Sequence, residues 1–111
     1  MDKASLFAAL ESEVHDIEVK ALGLVLRFKA LTGTARDAFN AAITAGDKSN
    51  SHFEASLIAA TVVDADGAPM FEAGDIEVLR QKNATALSAI AQEAMKVNKL
   101  GVDAEKEAQG N

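Results

Sequence analysis

The chain has 111 residues, enough for one domain, with 17 acids against 11 bases and a formal charge of −6 at pH 7. It holds no cysteine, tryptophan or tyrosine, and 23 of its apolar residues are alanine. Disulfides, thiolate metal sites and a cysteine nucleophile are thereby excluded, and the acidic balance works against binding nucleic acid through its phosphates.

From Asp2 to Val14 the apolar residues Leu6, Phe7, Leu10 and Val14 share one face of a 3.6-residue period, which predicts a short amphipathic helix. Three turns need a partner to be stable, so Phe7 and Leu10 could face another subunit. The period then changes to two. Ile17 and Val19 alternate with Asp16, Glu18 and Lys20, and Leu24, Leu26 and Phe28 with Val25, Arg27 and Lys29, on either side of Ala21-Leu22-Gly23. That pattern predicts a β-hairpin with one apolar face and Gly23 at its turn.

Thr32-Gly33-Thr34 offers two candidate N-caps, and Thr34 has Asp37 three residues on, as in a capping box. A helix follows through Ala38, Phe39, Ala42 and Ile43 to Gly46, read as its C-cap. Asp47 to Ser51 is polar and reads as a loop. From Ser51 to Thr61 a helical stripe (Phe53, Leu57, Ala60) competes with a strand parity (Phe53, Leu57, Val63), and the alanines favour helix. Val62 to Phe71 centres on Asp66-Gly67, a reversal signal, with Pro69 forbidding helix.

Asp75 to Lys82 then places acids first and bases last, as the helix dipole prefers. Asn83 is expected to cap a last helix reaching about Asn98 and ended by Gly101, with Leu87, Ile90, Ala91, Ala94 and Met95 on its apolar face. Residues 1–102 read as a single domain and 103–111, which lack any large apolar side chain, as a flexible tail. The fold class is mainly α within α+β: a small helical domain with an N-terminal β-hairpin and a short turn-centred hairpin around Asp66-Gly67. Core packing is assigned to Phe39, Ile43, Leu57, Leu79, Leu87, Ile90 and Met95.

Little in the chain carries chemistry. His15 and His52 match no metal-ligand spacing. Asp64-Ala65-Asp66-Gly67 resembles the start of a calcium loop, but its Gly stands fourth where that loop has it sixth. No serine sits in a nucleophile elbow, and the glycines are isolated rather than forming a phosphate loop. Neither an enzyme nor a cofactor or metal protein is expected. The apolar runs at Leu22 to Leu26 and Ser56 to Val63 are shorter than the ~20 residues of a membrane span. Met1-Asp2-Lys3 does not open a secretory signal, so neither membrane nor nucleic acid is an expected partner. Client or sister-subunit contact is assigned to Phe7, Leu10, Leu24, Leu26 and Phe28.

The order of segments resembles the tail assembly chaperones of long-tailed (siphovirus-type) bacteriophages. The likeness runs from about Leu24 to Val102. It rests on Val25-Leu26-Arg27-Phe28-Lys29-Ala30-Leu31-Thr32 before Ala35-Arg36-Asp37-Ala38-Phe39, and then on Leu57 through Phe71. Asp75-Ile76-Glu77-Val78-Leu79 and a last helix ending Val97-Asn98-Lys99-Leu100-Gly101 complete it. Ala35 departs from the Glu that such proteins often carry there, which would complete a capping box with Thr32. The resemblance implies a non-enzymatic chaperone that binds the tape measure protein and keeps it soluble. It also implies recruitment of tail tube protein, chiefly through a longer product of ribosomal frameshifting, and self-association into a homo-oligomer. Action in the cytoplasm of the infected host, and absence from the mature virion, follow from the same likeness. The alternative is another small acidic interaction module, an adaptor or a DNA-mimic inhibitor.

Overall fold

The computed structural model describes residues 1–99. The expected end of the last helix at Gly101, the domain limit at 102 and the tail at 103–111 lie outside the described residues.

The described elements are α1 (Lys3–Ala9), β1 (Val14–Val19), β2 (Leu24–Lys29), α2 (Gly33–Ala45), α3 (Asn50–Thr61), β3 (Val62–Val63), α4 (Asp75–Arg80) and α5 (Ala84–Val97). The fold class is α+β, as the sequence indicates, with a three-stranded antiparallel sheet in the order β1-β2-β3. The first helix stops earlier than its apolar period suggests. Val14, expected on that helix, opens β1 and stands opposite Lys29, which suits a β-branched side chain. Within the hairpin Ile17 faces Leu26 and Val19 faces Leu24, and Gly23 takes φ +64° at the turn.

The helix starts follow capping chemistry. The Thr32 side chain accepts the Ala35 amide at 3.1 Å, Ser49 that of His52 and Asn83 that of Ala86. Thr32 is therefore the N-cap of α2, and Thr34 lies inside the helix, so no Thr34–Asp37 box forms. Gly46 does cap α2, but with extended backbone (φ −85°, ψ −175°) and not in the left-handed form. Its side chain is absent for another reason: a Cβ there would lie 2.1 Å from Nε2 of His52.

At the centre lies α3, flanked by α2, α4 and α5. Ala55, Ser56, Leu57 and Ile58 are consecutive and all buried, so this helix is covered on every side. That enclosure erases its one-faced stripe and explains the competing strand parity. Directly after it, Val62 and Val63 leave the helix as β3 and pair with Phe28 and Arg27. The turn-centred hairpin then closes through the Val63–Pro69 bridge, with Gly67 at φ +83°. β3 therefore joins the reversal at Asp66-Gly67 to the N-terminal hairpin, a link the sequence pattern does not reveal.

Helix α5 lies over β1 and β2 and against α3, burying Leu87, Ala91 and Ala94 at helical spacing. The core gathers Val19, Phe28, Phe39, Leu57, Ile58, Val62 and these α5 residues. Ile43, Leu79, Ile90 and Met95 pack against it while half-buried. Phe39 and Phe53 meet edge to face at 5.8 Å. The Asn98 side chain accepts the Leu31 amide at 2.8 Å and donates to the Ala94 carbonyl, tying the end of α5 to the chain leaving β2.

Candidate interaction site

The residues that carry chemistry elsewhere are used here for structure. His15 lies beside Glu13, Nε2 to Oε2 at 3.1 Å, on the exposed start of β1. The His52 Nε2–H donates to the Ala42 carbonyl at 3.2 Å, clamping α3 to α2. Asp64 accepts the amides of Asp66 and Ala68 on one carboxylate oxygen, so the residue that opens the calcium-like stretch closes its own turn. Among the described residues no group of three or more His, Asp or Glu side chains converges as metal ligands would.

The charged side chains likewise brace the scaffold. Arg27 clasps Asp16 across the outer face of the hairpin, Nε to Oδ1 at 2.8 Å, and donates to the Ala65 carbonyl at 2.8 Å. The Asp16 carboxyl is accordingly held below its ordinary value by the Arg27 hydrogen bond, and Arg27 is raised by the same contact. Arg80 of α4 reaches Glu77, Asp47 and Ser49, fastening α4 to the α2–α3 connection. The Asp47 carboxyl is lowered first by its hydrogen bonds from Ser49, and only secondarily by Arg80 and His52. Asp2 is lowered in the same way by Ser5, whose amide it accepts as the cap of α1.

What remains for function is apolar surface, and the predicted contact residues divide. Phe7 of α1 and Leu10, its C-cap, are 60% and 67% exposed, and Leu24 at the start of β2 is 55% exposed. Leu26 is half-buried against the core. Phe28, expected at a contact surface, is fully buried beneath the sheet and is a core residue. One face of one strand thus runs from solvent to core. β3 pairs only with the Arg27–Phe28 end of β2 and leaves the Leu24 end without an outer neighbour.

Of the exposed large apolar residues outside the sequence assignment, two adjoin the assigned ones. Leu6 extends the α1 stripe, and Val25 stands on the charged face of the hairpin, where alternation alone predicts a polar side chain. Among the described residues all of α1 is exposed, and it forms no substantial interface with another described element. A monomer rarely leaves Leu6, Phe7 and Leu10 together in water on one short helix.

A second apolar feature lies on α2, α3 and the segment leading into α4. It is a groove of about 300 Å³ walled by Ala38 and Ala42, by Ala59 and Ala60, and by Phe71 and Ile76. Ser56 also lines it, with a buried hydroxyl that has no hydrogen-bond partner, and Glu72 is the one charged residue in its wall.

No protein-family model and no curated protein matches the sequence. Among solved structures, this one is similar to the tail assembly chaperone of bacteriophage HK97, with a TM-score of 0.59 and 15% sequence identity. The match covers 78% of this chain and 85% of that one. The chain therefore has the fold of a phage tail assembly chaperone.

Proposed function

We propose that the chain is a tail assembly chaperone that binds the tape measure protein, keeps it soluble and helps recruit tail tube subunits during tail morphogenesis. The observation that carries this reading is the shared fold with the HK97 chaperone across most of both chains. The surface agrees with such a role. Phe7, Leu10 and Leu24 offer apolar contacts to a client or a sister copy on the outside of a chain with a charge of −6, which disperses a complex by repulsion while those residues engage their partners. The chaperone acts as a homo-oligomer in the cytoplasm of the infected cell and is released before the virion is complete. Recruitment of tube protein is assigned chiefly to a longer frameshifted product.

The DNA-mimic alternative is disfavoured by one contact. Asp16 stands in the cluster of acids formed by Glu11, Glu13, Asp16 and Glu18, and Arg27 neutralises it across the hairpin.

Co-expression with the cognate tape measure protein tests the proposal. The tape measure protein is expected in the soluble fraction when the chain is present and in the pellet when it is absent. Equal insolubility in both cases contradicts the proposal.

A further inference from the structure

The exposed helix and the unfilled groove belong to one molecule, and each supplies what the other lacks. Lys3, Leu6 and Phe7 of α1 and Leu10, its C-cap, follow the i, i+3, i+4, i+7 spacing of a single helical stripe. That stripe is three large apolar side chains led by one cation. The groove presents the complementary set. Small alanines on α2 and α3 give space for large side chains, and Phe71 and Ile76 form an apolar wall. Lys3 is the one charged residue within α1, and Glu72 is the one charged residue lining the groove.

Ser56 lies beneath the groove and brings a sealed polar atom to its floor. The residue is 4% exposed and its hydroxyl has no partner, a state that buried polar atoms rarely keep. A lysine ammonium has three N–H donors, enough to engage both oxygens of the exposed Glu72 carboxylate.

The helix does not fill the groove of its own molecule. Its last turn closes with the Glu11 amide on the Ala8 carbonyl, and the Glu13 carbonyl accepts the Ala30 amide at 2.9 Å. Ser12 alone separates these two anchored points, so α1 leaves the sheet on a short tether.

We propose that α1 is an assembly arm: its Leu6-Phe7-Leu10 stripe docks in the alanine-lined groove between α2, α3 and α4 of a second copy of this chain, with Lys3 meeting Glu72. This rests on the chaperone reading and specifies the surface by which its copies associate. Arm and groove are different surfaces, so the contact is heterologous and can repeat from copy to copy. One short helix in one groove buries less than the roughly 1,000 Å² of a stable pair. Association is therefore weak per contact and grows with concentration. It leaves Leu24 and Val25, at the opposite end of β2 from β3, for the client.

The absence of cysteine makes the test clean. Full-length Phe7→Cys and full-length Ala38→Cys are mixed at high micromolar concentration and treated with a short bismaleimide. The mixed dimer is expected to exceed either homodimer at least fivefold, and adding Leu10→Ser to the arm variant should reduce it about tenfold. A mixed dimer no more abundant than the homodimers overturns the proposal. An intrachain link in the double variant at high dilution, without a mixed dimer at high concentration, also overturns it, by placing the arm in its own groove. Both substitutions sit at exposed positions, and unchanged circular dichroism confirms that each variant is folded. If the mixed dimer fails to form while the tape measure protein is still solubilised, the assembly arm falls and the chaperone reading stands.

Discussion

Phe7 and Phe28 are the same residue type on regular elements of the same half of the chain, yet one is 60% exposed and the other is fully buried. Both lie in amphipathic patterns: Phe7 on a helical stripe, Phe28 on an alternating strand. The difference comes from what lies opposite. Phe28 sits where β3 pairs with β2, beneath α5, and in one core with Leu57 and Ile58 of α3. Phe7 sits on a helix that no other described element covers. An amphipathic pattern thus says that a residue has an apolar face to bury, and only the tertiary arrangement says whether the protein's own core will bury it.

The largest expected effect breaks this comparison if it fails. Phe28→Ala removes a fully buried ring and should cost about 3–5 kcal/mol, a large share of the roughly 5–15 kcal/mol that holds a domain of this kind together. Phe7→Ala should cost no more than about 0.5 kcal/mol, the range of surface substitutions. Urea titration of both variants measures the gap. Similar losses would show that α1 packs on the domain and that the division into core and contact regions is false.

The second prediction sharpens the contact side. Replacing Phe7 and Leu10 together by Ser should leave the urea midpoint within error and reduce self-association at least tenfold in sedimentation velocity at high micromolar concentration. Retained association with these two residues changed would move the contact to another surface.

Much of the scaffold was legible because local chemistry and tertiary placement agree. The hairpin follows from alternation plus Gly23, and α5 follows from Asn83 and the spacing of Leu87, Ala91 and Ala94. The illegible parts depend on distant neighbours. β3 is only Val62–Val63, too short for alternation to register, and its partners lie in the N-terminal hairpin. The missing side chain at Gly46 answers to His52, and the polar end of α5 answers to the Leu31 amide through Asn98. The candidate site was half legible. Phe7, Leu10 and Leu24 are exposed as a contact surface requires, whereas Phe28 shares the pattern of Leu24 and differs only by the strand beside it. The groove was not legible at all, since alanines on α2 and α3 read as ordinary helix formers.

A smaller effect concerns that groove. Ser56→Ala removes a buried hydroxyl with no partner and should raise stability by about 1 kcal/mol in the isolated chain. A loss of stability would mean that the hydroxyl is already satisfied within the fold and that the groove lacks an unmet polar atom.

The smallest effect is electrostatic. Asp16 and Asp47 have folded-state values below the ordinary 3.8, Asp16 through Arg27 and Asp47 through Ser49. Their contribution to stability is therefore complete above about pH 4 and is lost as pH falls below 3.8 through the lower folded values. Both groups are solvent-exposed, so the loss should be slight. Asp16→Asn should flatten the decline of melting temperature in that acidic window and leave its course near neutrality unchanged. A variant whose decline steepened between pH 5 and 8 would place the titrating group elsewhere.

Hydrogen exchange on the chain alone and on the chain co-purified with its tape measure protein tests the central claim most directly. On a chaperone that keeps its core closed and engages partners through its exposed apolar residues, protection should rise around Leu24 and Val25 as the client binds and at residues 3–10 as copies gather on it, while α5 and the buried centre of α3 exchange as before. Protection that rises only within α3 and α5, or a tape measure protein that does not co-purify, would contradict the account.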